Sequence, residues 1–362
     1  MRIAYIIPTR NRHERLAATL ALLGDLPAHD AEVVVVDNAS TEPVITPKWL
    51  ANGLPVVRRT ALHNLGTAAR NLAANAADPG ADWLVMLDDD SHPLDLDWLD
   101  LLASAPSEVL AISADIHLPR LRCREAGGLP EVFVGCGVAI RRDAFVYAGG
   151  YDPAFGYYAE EYDLAARLLL AGGRIVFAPA FRIDHHKVLD GRNMNEIVYR
   201  LVRNNGWVQE QYAPEPARRT ALREARRRCR MIAEKENARD GYRCGVRDLR
   251  STRVLRRRTP MPESIWDRFI GREAARTALH AQWRACPYAS VAIVEPGKHE
   301  WVIAEVLEEM GVSLAPPEVA DALVIGTLSP GPMLDALEDA RKYARRVIAP
   351  WSCAAEFVAL PH

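Results

Sequence analysis

Short apolar runs that each end in polar residues are the feature that most restricts the fold of this chain. Val33–Val36 is a run of valines followed directly by Asp37. Arg2–Ile7 and Trp83–Leu87 follow the same plan, and stretches of helical composition separate the three runs. Continuous apolar, β-rich runs are typical of strands buried on both faces of a parallel sheet. The alternation therefore predicts an open α/β sheet with polar strand ends along one edge.

Three consecutive carboxylates, Asp88–Asp90, follow the predicted strand Trp83–Leu87. Adjacent like charges repel, so a folded protein keeps them together where a positive group, most often a divalent cation, compensates them. The alternative is a solvated acidic turn in which Asp90 or Ser91 caps the following helix. Ligands of open α/β sheets bind outside the carboxyl ends of the strands, where Asp37 is also expected. We therefore favour a metal and phosphate site.

The bulk properties of the chain exclude several classes of protein. Its 362 residues predict one large domain and a smaller one. The net charge of −2 calls for neither nucleic acid nor a membrane as partner. No apolar run approaches the roughly 20 residues of a membrane helix, and Ile3–Ile7 is too short for a signal peptide. We therefore expect a cytoplasmic protein whose scattered cysteines are reduced thiols.

A second acidic cluster, Glu160, Glu161 and Asp163, lies at the start of a predicted helix. Carboxylates in the first turn gain from the helix dipole, which is the structural alternative, although one carboxylate would satisfy it. The cluster directly follows the glycine- and tyrosine-rich segment Gly149–Tyr158. This combination suggests a general base in a pocket the size of a sugar.

An ordered set of motifs extends over roughly the first 210 residues. They are IIPTRNR, VVVDNAS, HNLGTAARN, VMLDDDS, GCGVAIRR, GGYDPAFGYYAEEYDLAAR and then Tyr199 with Arg203-Asn204. In this order they resemble the inverting family 2 glycosyltransferases of the GT-A fold, and the nearest branch is rhamnosyltransferase-like. The resemblance implies an open, mostly parallel sheet with a Rossmann-like nucleotide-binding half.

The resemblance also implies substrates, a cofactor and residue roles. The donor would be a nucleotide-diphosphate sugar, with UDP or dTDP favoured, and the acceptor a hydroxyl of a glycan, a lipid-linked molecule or a small molecule. Mn²⁺ or Mg²⁺ would be the metal. By matched position, the nucleotide, ribose and diphosphate would contact Pro8, Thr9, Asn11, Asp37, Asn64, Gly66, Arg70, Asp88 and Asp89. The metal would bind Asp90 and His185, the latter unless it belongs to a surface histidine pair.

The catalytic base of the family is usually the aspartate of a Glu-Asp pair, whereas this chain has Glu160-Glu161. The resemblance places the base at Glu161, and Glu160 and Asp163 remain candidates beside it. Two rival functions are a non-catalytic sugar-nucleotide-binding scaffold and a metal-dependent phosphohydrolase using Asp88 as nucleophile. The second rival lacks the Gly-Thr that should follow its aspartates.

The remainder of the chain divides into an arginine-rich segment and a small α/β unit. Arg218–Arg258 is best interpreted as a solvated helical face, then as a phosphate-binding or peripheral anionic membrane surface, and last as a nucleic-acid patch. Strands expected at Ser290–Val294, Ala322–Gly326 and Arg346–Ala349 alternate with helices. The predicted domains are 1–212, 213–284 and 285–362, and the last has a scaffolding, acceptor-positioning or homo-oligomerising role.

Overall fold

A computed structural model describes residues 1–187, 191–342 and 345–353. The end of the helix predicted at Met333–Ala344 and the last residues of the predicted third domain lie outside this range. The described chain is an α/β structure with a large mixed sheet and a smaller parallel sheet. The predicted fold class is therefore confirmed.

The larger sheet is built around strands whose residues are almost wholly apolar and buried. Its strands are β1 (Ile3–Thr9), β2 (Ala31–Asp37), β3 (Val56–Thr60), β4 (Trp83–Met86), β5 (Ser91–Pro93), β6 (Val109–Leu118), β7 (Cys123–Arg124), β8 (Val138–Arg141) and β9 (Arg174–His185). The spatial order is β3-β2-β1-β4-β8-β6-β9-β5, with β7 paired to β6. The first four strands in this order are parallel, and β8 runs antiparallel to β4 and β6.

Helices cover the larger sheet and continue into the second half of the chain. They are α1 (His13–Asp25), α2 (Ala69–Ala76), α3 (Leu99–Ser104), α4 (Arg142–Tyr147), α5 (Glu160–Leu170), α6 (Met194–Tyr212), α7 (Glu215–Lys235), α8 (Arg239–Thr252), α9 (Glu263–Phe269), α10 (Arg272–Ala285), α11 (Glu300–Glu309) and α12 (Pro330–Glu338). Short 3-10 turns cover Gly66–Ala68, Pro153–Phe155, Arg253–Leu255 and Asp339–Lys342. No helix in the described ranges is long and apolar enough to cross a membrane.

Strand β1 continues through Pro8 and Thr9, although the sequence predicts that Pro8 breaks it. The amide of Ile3 donates to Asp30, next to β2, whereas the carbonyl of Ile6 accepts from Leu87, next to β4. The backbone N–H and C=O groups of odd-numbered residues in β1 therefore point toward β2, and those of even-numbered residues point toward β4. Pro8 is even-numbered, so its missing N–H is on the β4 side. Because β4 ends at Met86, opposite Ile6, proline removes no ladder hydrogen bond there.

Strand β9 is continuous where the sequence predicts two strands, Arg174–Ala178 and another from Phe181. Its pairing with β6 shifts between Ala178 and Arg182, so the segment containing Pro179 forms a bulge. The bulge carries the strand on to His185, beside β5. A proline accommodated in a bulge explains why two predicted strands form one.

The C-terminal unit packs directly onto the first domain. Its parallel sheet has strands β10 (Ser290–Val294), β11 (Ser313–Leu314), β12 (Ala322–Ile325) and β13 (Val347–Ile348) in the order β11-β10-β12-β13, which confirms the predicted strands. Leu164 and Phe177 of the first domain share one buried apolar cluster with Val302 and Trp351. This shared core fixes the position of the C-terminal unit relative to the first sheet.

Close approach of α8 to α6 depends on a glycine. A Cβ atom at Gly245 would lie 2.7 Å from the carbonyl oxygen of Tyr199 and 2.7 Å from Cβ of Val202. We expect Gly245→Ala to lower the free energy of unfolding by about 1 to 3 kcal/mol, because overpacking forces the helices apart. Thermal unfolding measures the change, with Ser251→Ala on the exposed side of α8 as control. Equal melting temperatures for the two variants would contradict this packing.

Candidate active site

A cavity of about 620 Å³ opens where the parallel strands of the larger sheet end. Three parts of the chain line it. The first domain contributes the sheet edge and the start of α5, α7 contributes Arg228, and the C-terminal unit contributes Lys298. Of the residues predicted to contact the donor, the cavity is lined by Pro8, Thr9, Gly66, Arg70, Asp88 and Asp89.

Arginine side chains compensate the three aspartates of the triplet. Arg12 forms ion pairs with Asp89, at 2.5 Å, and with Asp90. Arg70 is buried and pairs with Asp88. The hydroxyl of Thr9 also donates to Asp89 at 2.7 Å. The expectation that a positive group holds the triplet together is therefore met by two guanidinium groups, and Arg12 was not identified from the sequence.

Asp89 and Asp90 have unequal proton affinities because their surroundings differ. Burial raises the pKa of Asp89 to about 7, against the opposing attraction of Arg12. Burial also acts on Asp90, but the hydrogen bond with His185 and the charge of Arg12 outweigh it and lower its pKa. Asp90 is thus held as an anion, which is the form that a metal ligand requires.

His185 lies between two buried carboxylates. Its Nε2 is 3.4 Å from Oδ1 of Asp90, and its Nδ1 is 3.1 Å from Oε2 of Glu125. Lys187 in turn donates to Glu125 at 2.6 Å. Burial opposes charge on His185, yet Cys136 and the two carboxylates raise its pKa. Glu125, which the sequence analysis missed because it belongs to no motif, therefore orients the imidazole.

Asp90 and His185 fit a divalent cation by the chemistry of their donor atoms. A histidine that binds a metal usually donates its other ring N–H to a carboxylate, and Glu125 occupies that position. Asp88 and Cys136 add further donor atoms, which lie with those of His185 within 4.8 Å of one another. His186 faces elsewhere, because its ring stacks on His92 at a centroid distance of 5.5 Å. Of the two histidines, the geometry therefore favours His185.

Asp37, Asn11 and Asn64 hold loops together and are not among the residues that line the cavity. Asp37 accepts from the amide of Ser40 at 2.9 Å, and despite burial its hydrogen bonds lower its pKa. Asn11 accepts from the amide of Thr41, and Asn64 accepts from Asn38 and from the amide of Gly66. These contacts shape the loops behind the predicted nucleotide site.

The start of α5 is held by an unusual backbone and by a buried asparagine. Tyr158 and Ala159 both have positive φ, 70° and 65°, which non-glycine residues rarely adopt. The side-chain amide of Asn204 on α6 donates to the carbonyls of Phe155, Tyr157 and Tyr158 at 3.0, 2.9 and 2.7 Å. Asn204 thus fixes the segment that leads directly into Glu160.

Glu160 and Glu161 both line the cavity, and one oxygen of each has no hydrogen-bond partner among the described residues. Burial, followed by the charge of Glu161, raises the pKa of Glu160 well above its ordinary value. Burial therefore favours the protonated form of Glu160. The side chain of Glu161 faces the cavity beside it.

Asp163, the third predicted carboxylate, occupies a different environment from the two glutamates. It is buried, accepts from Arg167 at 2.6 Å and 3.0 Å, and accepts from the hydroxyl of Tyr212 at 2.7 Å. It does not line the cavity. The side chain connects α5 to α6, which is a structural function.

Residues 5–115 match the family model described as Glycosyl transferase family 2. The match covers less than a third of the chain. The chain is 27% identical over 225 residues to the O-antigen biosynthesis protein RfbC of Myxococcus xanthus, covering 51% of this chain and 17% of that protein. It is 26% identical over 195 residues to an uncharacterized glycosyltransferase of Haemophilus influenzae, covering 46% and 62%. The chain thus spans less than two thirds of either relative.

Two solved structures are similar in fold to this chain. GalNAc-T7 with UDP, GalNAc and Mn²⁺ has a TM-score of 0.51 at 19% identity, over 67% of this chain and 55% of that chain. Residues 1–349 of S. aureus TarS in complex with UDP-GlcNAc have a TM-score of 0.51 at 16% identity, over 79% and 88%. The likeness confirms the predicted GT-A type of fold.

The role of Asn204 can be measured directly. Asn204→Ala leaves buried carbonyls without a donor, which costs about 1 to 3 kcal/mol of unfolding free energy. We expect a lower melting temperature and faster hydrogen exchange in residues 155–161. Asn205→Ala is the control, because that amide donates only to Leu201 within α6. If exchange in residues 155–161 is the same in both variants, Asn204 does not hold the segment.

Proposed function

We propose that this protein is a metal-dependent inverting glycosyltransferase that moves a sugar from a nucleotide-diphosphate donor to a hydroxyl acceptor. The observation that carries the proposal is the meeting of two groups in one cavity. Asp88 and Asp89 of the compensated triplet lie on one wall. Glu161, one oxygen of which has no hydrogen-bond partner among the described residues, lies on another. Together they supply a site for a diphosphate and a base for an acceptor hydroxyl.

Glu161 is the proposed base. As the acceptor oxygen forms its bond to the anomeric carbon, its proton passes to Glu161. The bond from that carbon to the diphosphate oxygen breaks, and its electron pair leaves with the diphosphate. A general base of this kind contributes about 100- to 10,000-fold to the rate. Glu160, kept protonated by burial, donates a hydrogen bond toward Glu161 without adding a second charge.

The donor side of the cavity is assigned to the residues at the sheet edge. Pro8, Thr9 and Gly66 line the nucleotide region, and Arg70 and Arg12 hold the aspartates in place. Asp90 and His185 would hold Mn²⁺ or Mg²⁺, which neutralises the charge of a departing diphosphate. Asp37, Asn11 and Asn64 act through the loops they support.

UDP is the favoured nucleotide, because the two structures with a similar fold contain UDP and UDP-GlcNAc. A thermal-shift screen should therefore compare UDP-sugars with GDP- and dTDP-sugars, including a rhamnosyl donor, because a donor that binds the folded protein raises its melting temperature.

The presence of Glu161 argues against the rival function of a non-catalytic scaffold, which would have lost its base. Two arginines of the arginine-rich segment, Arg218 and Arg253, both pair with Glu210.

The base assignment predicts a separation of turnover from binding. Glu161→Gln should lose about 100- to 10,000-fold in turnover, because the amide cannot accept the proton, while donor binding persists. Glu160→Gln resembles the protonated carboxyl and should lose much less. Steady-state transfer and calorimetry with UDP provide the two readouts. A wild-type rate in Glu161→Gln, or a larger loss in Glu160→Gln, would show that the assignment is wrong.

The metal assignment predicts a change in nucleotide binding. Asp90→Ala should abolish the part of UDP affinity that depends on Mn²⁺, since it removes a buried anionic ligand. Asp97→Ala, an exposed aspartate in the following loop, is the matched control. Calorimetry with UDP in the presence of Mn²⁺ or of a chelator gives the comparison. Unchanged Mn²⁺ dependence in Asp90→Ala would remove Asp90 from the metal site.

A further inference from the structure

The C-terminal unit reaches the cavity through the turn between β10 and α11. Gly297, Lys298 and His299 of this turn line the cavity. The turn is fixed from both sides: the amide of Gly297 donates to Gly326, and the carbonyl of Lys298 accepts from Leu328. His299 has a positive φ of 60° and its ring contacts the carbonyl of Ile270 at 2.8 Å. Lys298 is therefore held in the cavity wall by its backbone.

The ammonium of Lys298 lacks a carboxylate partner. Its Nζ lies 2.5 Å from the hydroxyl of Tyr162, and no carboxylate of the described residues is within ion-pair distance. Burial, followed by repulsion from Arg228, lowers the pKa of Lys298 to about 7. A partly buried amine next to another cation gains most from an anion that arrives from outside.

Arg228 also has no ion pair with a carboxylate in the part of the chain that the structure describes. Neighbouring arginines on α7 are paired: Arg218 with Glu210 at 2.9 Å and Arg227 with Glu224 at 2.7 Å. Arg228 lines the cavity, and none of the described carboxylates forms an ion pair with it. Burial lowers its pKa slightly, against the attraction of Tyr162. The arginine-rich run thus directs one unpaired guanidinium into the candidate active site.

The two cations lie at the end of the cavity where the proposed base is. Lys298 contacts Tyr162, the residue after Glu161, and it interacts electrostatically with both Glu161 and Arg228. Glu161 and Glu125 both attract Lys298 electrostatically, but neither forms an ion pair with it in the described chain, and Glu125 pairs with Lys187 instead. The arginines that serve the donor side, Arg12 and Arg70, are instead paired with the aspartate triplet. Lys298 and Arg228 therefore place two positive groups beside the acceptor's expected position.

We propose that Lys298 and Arg228 form a subsite for an anionic group, a carboxylate or a phosphate, carried by the acceptor. The inference rests on the proposed function and narrows its acceptor to acidic glycans or phosphorylated hydroxyl compounds. It also gives the C-terminal unit a role, since that unit supplies half of the subsite. Guanidinium and ammonium groups both bind carboxylate and phosphate oxygens through charge-assisted hydrogen bonds.

The test uses protein saturated with UDP and Mn²⁺, so that a probe cannot occupy the diphosphate site. Methyl glucuronide is compared with methyl glucoside, and glycerol 3-phosphate with glycerol, by saturation-transfer NMR. At least one anionic probe should bind tenfold or more tightly than its neutral partner. Binding of methyl glucuronide would indicate that the acceptor carries a carboxylate, and binding of glycerol 3-phosphate would indicate that it carries a phosphate.

Substitutions of Arg228 and Lys298 test whether these two side chains cause the preference for anionic probes. Arg228→Gln and Lys298→Met should each reduce the anion preference at least tenfold and leave the affinity for UDP unchanged. Arg219→Gln, an exposed arginine of α7 outside the cavity, makes the same charge change and should have no effect. Circular dichroism and melting temperature confirm that each variant is folded.

Several outcomes would overturn the subsite. Equal binding of charged and neutral probes, binding of no anion, or an anion preference that survives Arg228→Gln would each do so. A loss of UDP affinity in either variant would place the cations on the donor side instead. Failure of the wild-type protein to bind any of UDP, GDP or dTDP with Mn²⁺ is a separate result, since it refutes the proposed function itself.

Discussion

The candidate site depends on the ion pairs in which two arginines, Arg12 and Arg70, compensate the negative charges of Asp88–Asp90. Three adjacent carboxylates at the end of a buried strand would repel one another strongly. Arg12, from the start of α1, and Arg70, from α2, bring opposite charges from both flanking segments to this point. The ion pairs thus connect β4 to the loops after β1 and β3. They define the cavity edge before any ligand binds.

The opposite wall depends on a strained turn that the rest of the fold supports. Two consecutive residues with positive φ precede α5, a conformation that costs about 1 to 3 kcal/mol at each position. Asn204 on α6 and Thr67 after β3 bind the carbonyls of this segment, including that of Gly156. The turn directs Glu160 and Glu161 into the cavity and leaves Asp163 facing α6. Neighbouring carboxylates therefore acquire three different environments.

The sequence predicted the parts of this structure that depend on local pattern. Valine runs predicted the buried strands, and the motif order predicted which strand ends share an edge. It could not separate Glu160 from Glu161, because burial and not residue type keeps the proton on Glu160. Glu125, Arg228 and Lys298 belong to distant segments without motifs, and only the shared core brings them to the cavity. The predicted end of strand β1 before Pro8 was wrong. Whether a proline interrupts a strand depends on which neighbouring strand its missing N–H faces, and the sequence does not show this.

The central claim is that one carboxylate activates the acceptor for a single displacement at the anomeric carbon. The stereochemistry of the product tests this claim most directly. With an α-linked UDP-sugar selected by thermal shift, ¹H NMR of the product formed by the wild-type protein should show a β-linkage from the first turnover. An α-linked product would contradict a single displacement with Glu161 as base.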